Sequence, residues 1–167
     1  MTILFAYDGS KGADAALSAA RKLFPGVGIE AVVLSIWEPM TVEAIRALRF
    51  GTPSAPVPND PAEVDSDSEA HARELAEHGA RRAAELGYEA RPLWIADTSD
   101  GAQAIVVAAD DSDADLVVLG ARGLTGVRAM LGSVSSHVVQ HAHRPVLVVP
   151  PGATGGSTDE AEKVAAA

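Results

Sequence analysis

Short apolar runs alternate along the chain with segments in which apolar residues recur at every third or fourth position. The runs predict β-strands over residues 3–8, 29–37, 88–96, 114–120 and 144–150, with Pro92 as a point of interruption in the third. The periodic segments predict helices over residues 12–23, 61–86, 101–112 and 133–143. Because strands that alternate with helices are joined by right-handed crossovers, we expect an α/β fold with a parallel sheet covered on both faces.

The length of 167 residues predicts one domain, which buries about two-thirds of its unfolded surface. We place this domain at residues 1–150, because the small and polar residues 151–167 predict a disordered tail. Residues 38–60 include the proline-rich stretch GTPSAPVPND and predict an irregular, mobile loop. No internal repeat is present, so the domain is predicted as a single unit.

Charge is distributed unevenly along the chain. The formal net charge is −10, yet residues 116–158 contain no Asp or Glu and carry Arg122, Arg128 and Arg144. An acidic protein repels nucleic acid and anionic membranes, and we expect neither as a partner, whereas a local positive field suits a small anion. The chain has no cysteine and no apolar run long enough to span a membrane, which predicts a cytoplasmic protein.

Two predicted strands end in segments that are unusual enough to indicate a binding site. Asp8, Gly9 and Ser10 follow the first strand, and the glycine-rich segment GARGLTGVRAMLGSV follows the fourth, at the edge where open parallel sheets bind ligands. Glycine lets the backbone approach phosphate oxygens, and the helix that begins near Ser133 presents free N–H groups. The same residues also fit a plain turn followed by a serine N-cap, so their spacing alone leaves both interpretations open.

Neither catalysis nor a metal site built from side chains is predicted. The chain lacks the lysine-containing P-loop sequence, and Asp8 is the one carboxylate that we place at the phosphate end of the sheet, so binding fits better than turnover. His137 and His141 have a spacing that can bind zinc, but histidines near a helix C-terminus also interact favourably with the helix dipole. We therefore assign no catalytic residue.

The segments MTILFAYDGS and ADLVVLGARGLTGVRAMLGSVSSHVVQHAHRPVLVV resemble the universal stress protein family over residues 1–150. The resemblance implies a single Rossmann-like domain of the adenine nucleotide alpha hydrolase-like type, with a five-stranded parallel sheet in the order 3-2-1-4-5. Many members of the family bind ATP through Gly-x-x-Gly, nine residues, and then Gly-Ser or Gly-Thr. In this chain eight residues, LTGVRAML, separate Gly123 from Gly132.

The resemblance implies a set of phosphate contacts at the glycine-rich segment. Gly120 and Gly123 correspond to the first glycine pair, and Gly132 with Ser133 corresponds to the closing pair. The remaining contacts implied on the phosphate side are Val134, Ser135 and, as a source of positive charge, Arg122.

The resemblance also implies contacts with the nucleoside. Asp8 corresponds to the acid after the first strand, Ala6 lies on the adenine side, and Ile36 falls where the family has an apolar adenine contact. Ser10, in the turn after Asp8, completes the set. The implied ligand is ATP, with AMP or cyclic AMP as alternatives, and Mg²⁺ would enter with the nucleotide, with Asp8 as its candidate ligand.

The resemblance implies a homodimer through the last strand, residues 144–150, since VLVV would leave a bare apolar edge. It also leaves three functions open. The first is a stress-response regulator that signals to an unknown protein partner by nucleotide occupancy. The others are a nucleotide-free dimeric interaction module and a slow ATPase.

Overall fold

A computed structural model describes residues 1–25, 28–42, 61–98, 101–121 and 131–150. Within them, the nine predicted elements all form, with ends displaced by no more than two residues. They are β1 (Thr2–Ala6), α1 (Lys11–Leu23), β2 (Glu30–Trp37), α2 (Pro61–Glu85), β3 (Glu89–Ala96), α3 (Ala102–Asp111), β4 (Leu116–Gly120), α4 (Ser133–His141) and β5 (Val146–Val149). The predicted tail and most of the predicted 38–60 loop lie outside the described residues.

The strands form one parallel sheet in the order β3-β2-β1-β4-β5, which confirms the predicted fold. The central strand β1 pairs with β2 on one side and with β4 on the other, in a register that places Phe5 between Val33 and Val118. The chain builds outward from β1 to β3 and then returns to the other side of β1. The order therefore reverses between β1 and β4, and a crevice is expected at their carboxyl ends.

The sheet separates two apolar clusters, because alternate side chains of each strand point to opposite faces. Ile3, Phe5 and Val33 pack with the buried alanines of α1 and α2. On the opposite face, Leu4 and Val117 pack with α3 and α4. Both faces of the central strands are therefore buried, in agreement with the predicted parallel sheet covered on both faces.

The outer strand β3 runs through Pro92 without interruption, which corrects the predicted break. Pro92 pairs in register with Val33, and the N–H groups of Glu89 and Asp97 donate to carbonyl groups of the β2 side. Backbone N–H groups point alternately to either side of a strand, so the nitrogen of Pro92 faces the open edge of the sheet. A proline at this position costs no ladder hydrogen bond.

The other outer strand, β5, is less buried than the central strands. It pairs with β4, with Val117 opposite Val146 and Gly120 opposite Val149. Val149 is buried, and the residues from Val146 to Val148 are half-buried. Leu147 and Val149 pack on the α1 and α2 side, and Val146 and Val148 pack on the other side, so both faces of β5 are covered in part.

Candidate functional site

The turn after β1 is held by its own side chains. The Asp8 Oδ1 atom accepts a hydrogen bond from the Ser10 backbone N–H at 3.0 Å, and the Ser10 Oγ atom accepts one from the Ala13 N–H at 3.2 Å. Ser10 is thus the N-cap of α1. Gly9 has a φ of +73°, and a Cβ atom at that position would lie 2.8 Å from Cδ2 of Leu75 on α2. This arrangement leaves the Asp8 carboxylate exposed at the sheet edge.

The start of α4 lies against the end of β4. The N–H of Ala121 donates to Val149 O at 2.8 Å, and the N–H of Gly132 donates to Ala121 O at 2.9 Å. The buried Ser135 hydroxyl reaches the carbonyl oxygens of Ala121 and Gly132, both at 3.0 Å. These bonds close the base of the glycine-rich segment and bring α4 directly beside the carboxyl end of β4.

No side chain caps α4. Its N-cap is Gly132, which forms no side-chain cap hydrogen bond, so the predicted alternative of Ser133 as the N-cap is wrong. The first helical hydrogen bond within α4 runs from Ser136 N–H to Gly132 O. The N–H groups of Ser133, Val134 and Ser135 therefore precede the helical ladder, and the first turn carries no acid. Such a helix start attracts an anion.

A cavity of about 640 Å³ lies between these two segments, above the carboxyl edge of the sheet. One part of its lining is apolar and is formed by strand ends and by α3, and a second part is formed by the end of β4 and the start of α4. The apolar part comprises Ala6, Leu34, Ile36, Ile105 and Leu119, and the second part comprises Gly120, Ala121, Leu131, Gly132, Ser133, Val134 and Ser135.

The structure brings together all the predicted site residues that it describes. Each of them lines the cavity, and they are Ala6, Asp8, Ser10, Ile36, Gly120, Gly132, Ser133, Val134 and Ser135. Arg122 and Gly123 lie outside the described residues, as does the segment in which the family spacing is one residue short. Their contacts with a ligand stay a prediction.

The cavity also contains residues that the sequence did not indicate. Leu75 reaches it from α2, while Gly101 and Ile105 reach it from α3. Helix packing brings these residues to the sheet edge, and no motif marks them. Ser35 and Tyr7 line the cavity from within apolar strand sequences, where their local pattern indicates burial alone.

The Tyr7 hydroxyl joins the end of β1 to two helices. It lies 3.0 Å from Oδ1 of Asp14 on α1 and 3.0 Å from Nδ1 of His78 on α2. Burial, followed by the hydrogen bond to Asp14, raises the pKa of Tyr7 above its usual range. The hydroxyl therefore keeps its proton, which it donates to the carboxylate, and His78 donates to the phenol oxygen. These contacts hold the backbone that precedes Asp8.

The histidines of α4 are engaged in contacts of other kinds. The rings of His137 and His141 stack with centroids 4.0 Å apart, and His143 pairs with Asp110 at 2.9 Å. The hydrogen bond from His143, with a second from Arg144, lowers the pKa of Asp110. In the part of the chain that the structure describes, no three His, Asp or Glu side chains are grouped to hold a metal ion. None of the helices described there is long and apolar enough to cross a membrane.

Comparison with known proteins identifies relatives over the same residues. The model of the universal stress protein family matches residues 1–150. The "Universal stress protein in QAH/OAS sulfhydrylase 3'region" of Thermus aquaticus is 34% identical over 157 residues, which cover 89% of this chain and 97% of that protein.

Solved structures share the fold at lower identity. A universal stress protein of Archaeoglobus fulgidus in complex with dAMP has a TM-score of 0.57 and 20% identity, covering 89% of this chain and 97% of that chain. A universal stress protein family protein of Arabidopsis thaliana with AMP bound has a TM-score of 0.59 and 16% identity, covering 96% of this chain and 98% of that chain.

Proposed function

We propose that this chain, which belongs to the universal stress protein family, binds an adenine nucleotide at the carboxyl edge of its sheet. ATP is the ligand proposed first, with AMP and cyclic AMP as alternatives for the same site. Nucleotide occupancy would then regulate the protein through its shape or its contacts with a protein partner. The observation that carries the proposal is the uncapped start of α4, which lines a cavity of about 640 Å³ that also has an apolar lining.

The phosphate groups fit the start of α4. The N–H groups of Ser133, Val134 and Ser135 are not used by the helical ladder, and the helix dipole adds positive potential at the same point. The Ser135 hydroxyl already donates to backbone carbonyl groups, so this residue would offer its N–H to the phosphate. Gly123 belongs to the proposed phosphate contacts by its position in the family motif, and Arg122 by its positive charge.

The nucleoside fits the other part of the cavity. Ala6, Leu34 and Ile36 line an apolar wall that suits the faces of a purine ring. The exposed Asp8 carboxylate lies at the same edge and can accept hydrogen bonds from ribose hydroxyl groups. Its oxygen atoms are also ligands of the kind that Mg²⁺ prefers, so Asp8 would hold any Mg²⁺ that enters with the phosphates.

The nucleotides in two related structures support an adenine nucleotide as the ligand. The protein from Archaeoglobus fulgidus is in complex with dAMP, and the protein from Arabidopsis thaliana has AMP bound. Our choice of ATP rests on the family motif, which includes the glycine-rich segment beyond Ala121. We assign residues 1–150 to the nucleotide-binding domain.

A homodimer through residues 144–150 is proposed together with nucleotide binding. The half-buried residues Val146, Leu147 and Val148 form an apolar edge strand, and such an edge is available for pairing with a second copy. Dimerisation does not require the nucleotide, so a nucleotide-free interaction module stays the alternative function. If sedimentation shows that the protein is a monomer at micromolar concentration, the proposed dimer is wrong.

The test of nucleotide binding uses calorimetric titration of ATP, AMP and cyclic AMP together with a matched pair of variants. Ser133→Pro removes the first N–H group of α4, whereas Ser133→Ala keeps it. Proline is favoured at the first helical position, and Gly132 already has the extended backbone (φ −63°, ψ 163°) that a following proline requires. Both variants should therefore fold.

We expect Ser133→Pro to bind the nucleotide about 10-fold or more weakly than Ser133→Ala, because a hydrogen bond to a charged group contributes about 1.5–3 kcal/mol. Equal affinities of the two variants would show that the phosphate does not use this N–H group. If the folded wild-type protein binds no adenine nucleotide, the proposed function is wrong. The nucleotide-free interaction module then remains as the function to test.

A further inference from the structure

The turn that carries Asp8 is closed by a hydrogen bond between side chains on either side of it. Tyr7 precedes the turn, and Asp14 follows it in the first turn of α1. The Tyr7 hydroxyl donates to Oδ1 of Asp14 at 3.0 Å, so the bond joins the two ends of the segment. Within the segment, the Asp8 carboxylate accepts a hydrogen bond from the Ser10 N–H. Two side-chain hydrogen bonds therefore hold one short turn.

Helix α2 packs against the same turn from outside. Gly79 lies so close to the Tyr7 ring that a Cβ atom there would be 2.8 Å from Cδ1 of the ring. His78 places its Nδ1 atom 3.0 Å from the Tyr7 hydroxyl, and Leu75 lies against Gly9. Residues three and four positions apart share one face of a helix, so a single face of α2 makes all these contacts. The turn is therefore held by α1 and by α2.

Tyr7 connects the cavity with two residues that lie outside its lining. Tyr7 is 3% exposed and lines the cavity. Among the residues that the structure describes, Asp14 and His78 are not part of that lining. Asp14 is half-buried in α1, and His78 is exposed on the outer surface of α2. Their hydrogen bonds to Tyr7 are therefore a direct route by which these two residues can affect a bound nucleotide.

The position of the Asp8 carboxylate determines how well it can bind a ribose. In the proposed complex this exposed carboxylate accepts hydrogen bonds from the ribose hydroxyl groups. Hydrogen bonds weaken steeply when their distance or angle departs from the preferred range. A binding group is therefore more effective when neighbouring side chains hold it in place, and a segment that is already ordered loses less entropy on binding.

We infer that Tyr7, Asp14 and His78 are positioning residues of the nucleotide site. Their hydrogen bonds hold the turn after β1 so that the Asp8 carboxylate meets the ribose hydroxyl groups. This inference rests on the proposed nucleotide binding. It extends the functional site beyond the cavity, through the Tyr7 hydroxyl, to a histidine on the outer surface of α2.

The first test measures the binding of ATP and of dideoxy-ATP, in which both ribose hydroxyl groups are replaced by hydrogen. Tyr7→Phe keeps the ring that packs on Gly79 and removes only the hydroxyl group. The affinity for ATP should fall about 3- to 10-fold, whereas the affinity for dideoxy-ATP should not change, because this analogue lacks the groups that Asp8 contacts. A role of the Tyr7 hydroxyl in folding alone predicts an equal change for both nucleotides, which would contradict the inference.

A matched pair of variants at Asp14 separates the hydrogen bond from the charge. Asp14→Asn and Asp14→Ala both remove the negative charge, but the asparagine keeps an oxygen atom that accepts the hydrogen bond of the Tyr7 hydroxyl. Asp14→Asn should therefore bind ATP as the wild type does, and Asp14→Ala should reproduce the loss seen in Tyr7→Phe. Equal affinities of the two Asp14 variants would contradict the positioning role.

A second pair of variants tests the outer surface of α2. His78→Ala removes a hydrogen bond to the Tyr7 hydroxyl and should weaken ATP binding about 3-fold. His71 is exposed on the same helix, and His71→Ala should leave the affinity unchanged. If the two variants bind ATP equally well, His78 has no positioning role.

A double variant separates this inference from the proposed function. Tyr7→Phe combined with Asp8→Ala should bind ATP as Asp8→Ala alone does, because the carboxylate to be positioned is already absent. If the wild type binds ATP and Tyr7→Phe binds it equally well, the inference alone is wrong. If the wild type binds no adenine nucleotide, the proposed function is wrong and the inference fails with it.

Discussion

Two helices begin at the same edge of the sheet with opposite chemistry. At the start of α1, the Ser10 hydroxyl accepts the hydrogen bond of a first-turn N–H group, and Asp14 places a carboxylate in the first turn. At the start of α4, the N-cap is Gly132, no side chain caps the helix and the first turn has no acid. Both helices follow a strand that borders the crevice, so their position in the fold is similar and only the local sequence differs.

This difference explains which of the two helices is suited to bind an anion. At the start of α1, one N–H group is already bonded by the Ser10 cap and a carboxylate stands in the first turn, whereas the start of α4 has neither and is left for a ligand. The family motif marks Gly132, the N-cap of α4, and a glycine there leaves the first N–H groups of the helix without a competing side chain. Substitutions that remove the side-chain cap of α1 or add an acid to the first turn of α4 test this comparison.

The largest effect is expected where the turn before α1 is broken. Gly9→Ala forces a Cβ onto a residue with a φ of +73° and into contact with Leu75. We expect a loss of about 2 kcal/mol in the free energy of unfolding, measured by urea denaturation. Leu75 lines the cavity, so its displacement should also weaken nucleotide binding.

Gly28→Ala is the matched control for this substitution. Gly28 has a similar φ of +82°, but a Cβ atom there meets nothing within 4 Å. This variant should lose about 1 kcal/mol from backbone strain alone. If the two variants are destabilised equally, the packing of Leu75 on the turn contributes nothing.

A smaller effect is expected when α4 is made to resemble α1. Ser136 occupies the fourth position of α4, as Asp14 does in α1. Ser136→Asp should weaken ATP binding roughly tenfold, because the new carboxylate repels the phosphates and offsets the helix dipole. Ser136→Asn has nearly the same shape without the charge and should bind as the wild type does. An equal loss in both variants would indicate a steric cause.

The smallest effect is expected when α1 is made to resemble α4. Ser10→Ala removes the hydrogen bond to the Ala13 N–H and should cost about 1 kcal/mol of stability, or roughly 2–4 °C in melting temperature. Ser18→Ala, in the same helix, should change the melting temperature much less. A Ser10→Ala variant as stable as Ser18→Ala would mean that the cap does not stabilise α1.

The fold was largely predictable because its signals are local. The strands are continuous apolar runs, and Pro61 starts the long helix α2 as expected for a first-turn proline. The errors fall at element ends and at Pro92, inside β3. The first strand was predicted to reach Asp8. Instead, the Asp8 carboxylate accepts a hydrogen bond from the Ser10 N–H, and this turn directs the chain away from the sheet. Pro92 was misjudged because its tolerance depends on the edge position of β3.

The site was predictable only where strand ends and glycines mark it. Asp8 and Gly120 follow from their places at the ends of β1 and β4, and Gly132 follows from the family motif. Leu75 and Ile105 enter the cavity because helices pack on the sheet, and nothing within their own segments indicates it. Ser35 was not predicted, because a serine in an apolar strand does not reveal that it lines a cavity.

The orientation of Pro92 sets a limit on assembly. A sheet with two open edges can add copies without end, and such growth leads to fibres. In β3 the proline nitrogen faces outward, so the open edge of this strand lacks one backbone N–H donor near its middle. The ion pair of Arg91 with Glu30 also places charged side chains beside Pro92. In the sheet that the structure describes, β5 is then the edge better suited to pairing. The proposed assembly through β5 would therefore close at two subunits instead of growing into a polymer.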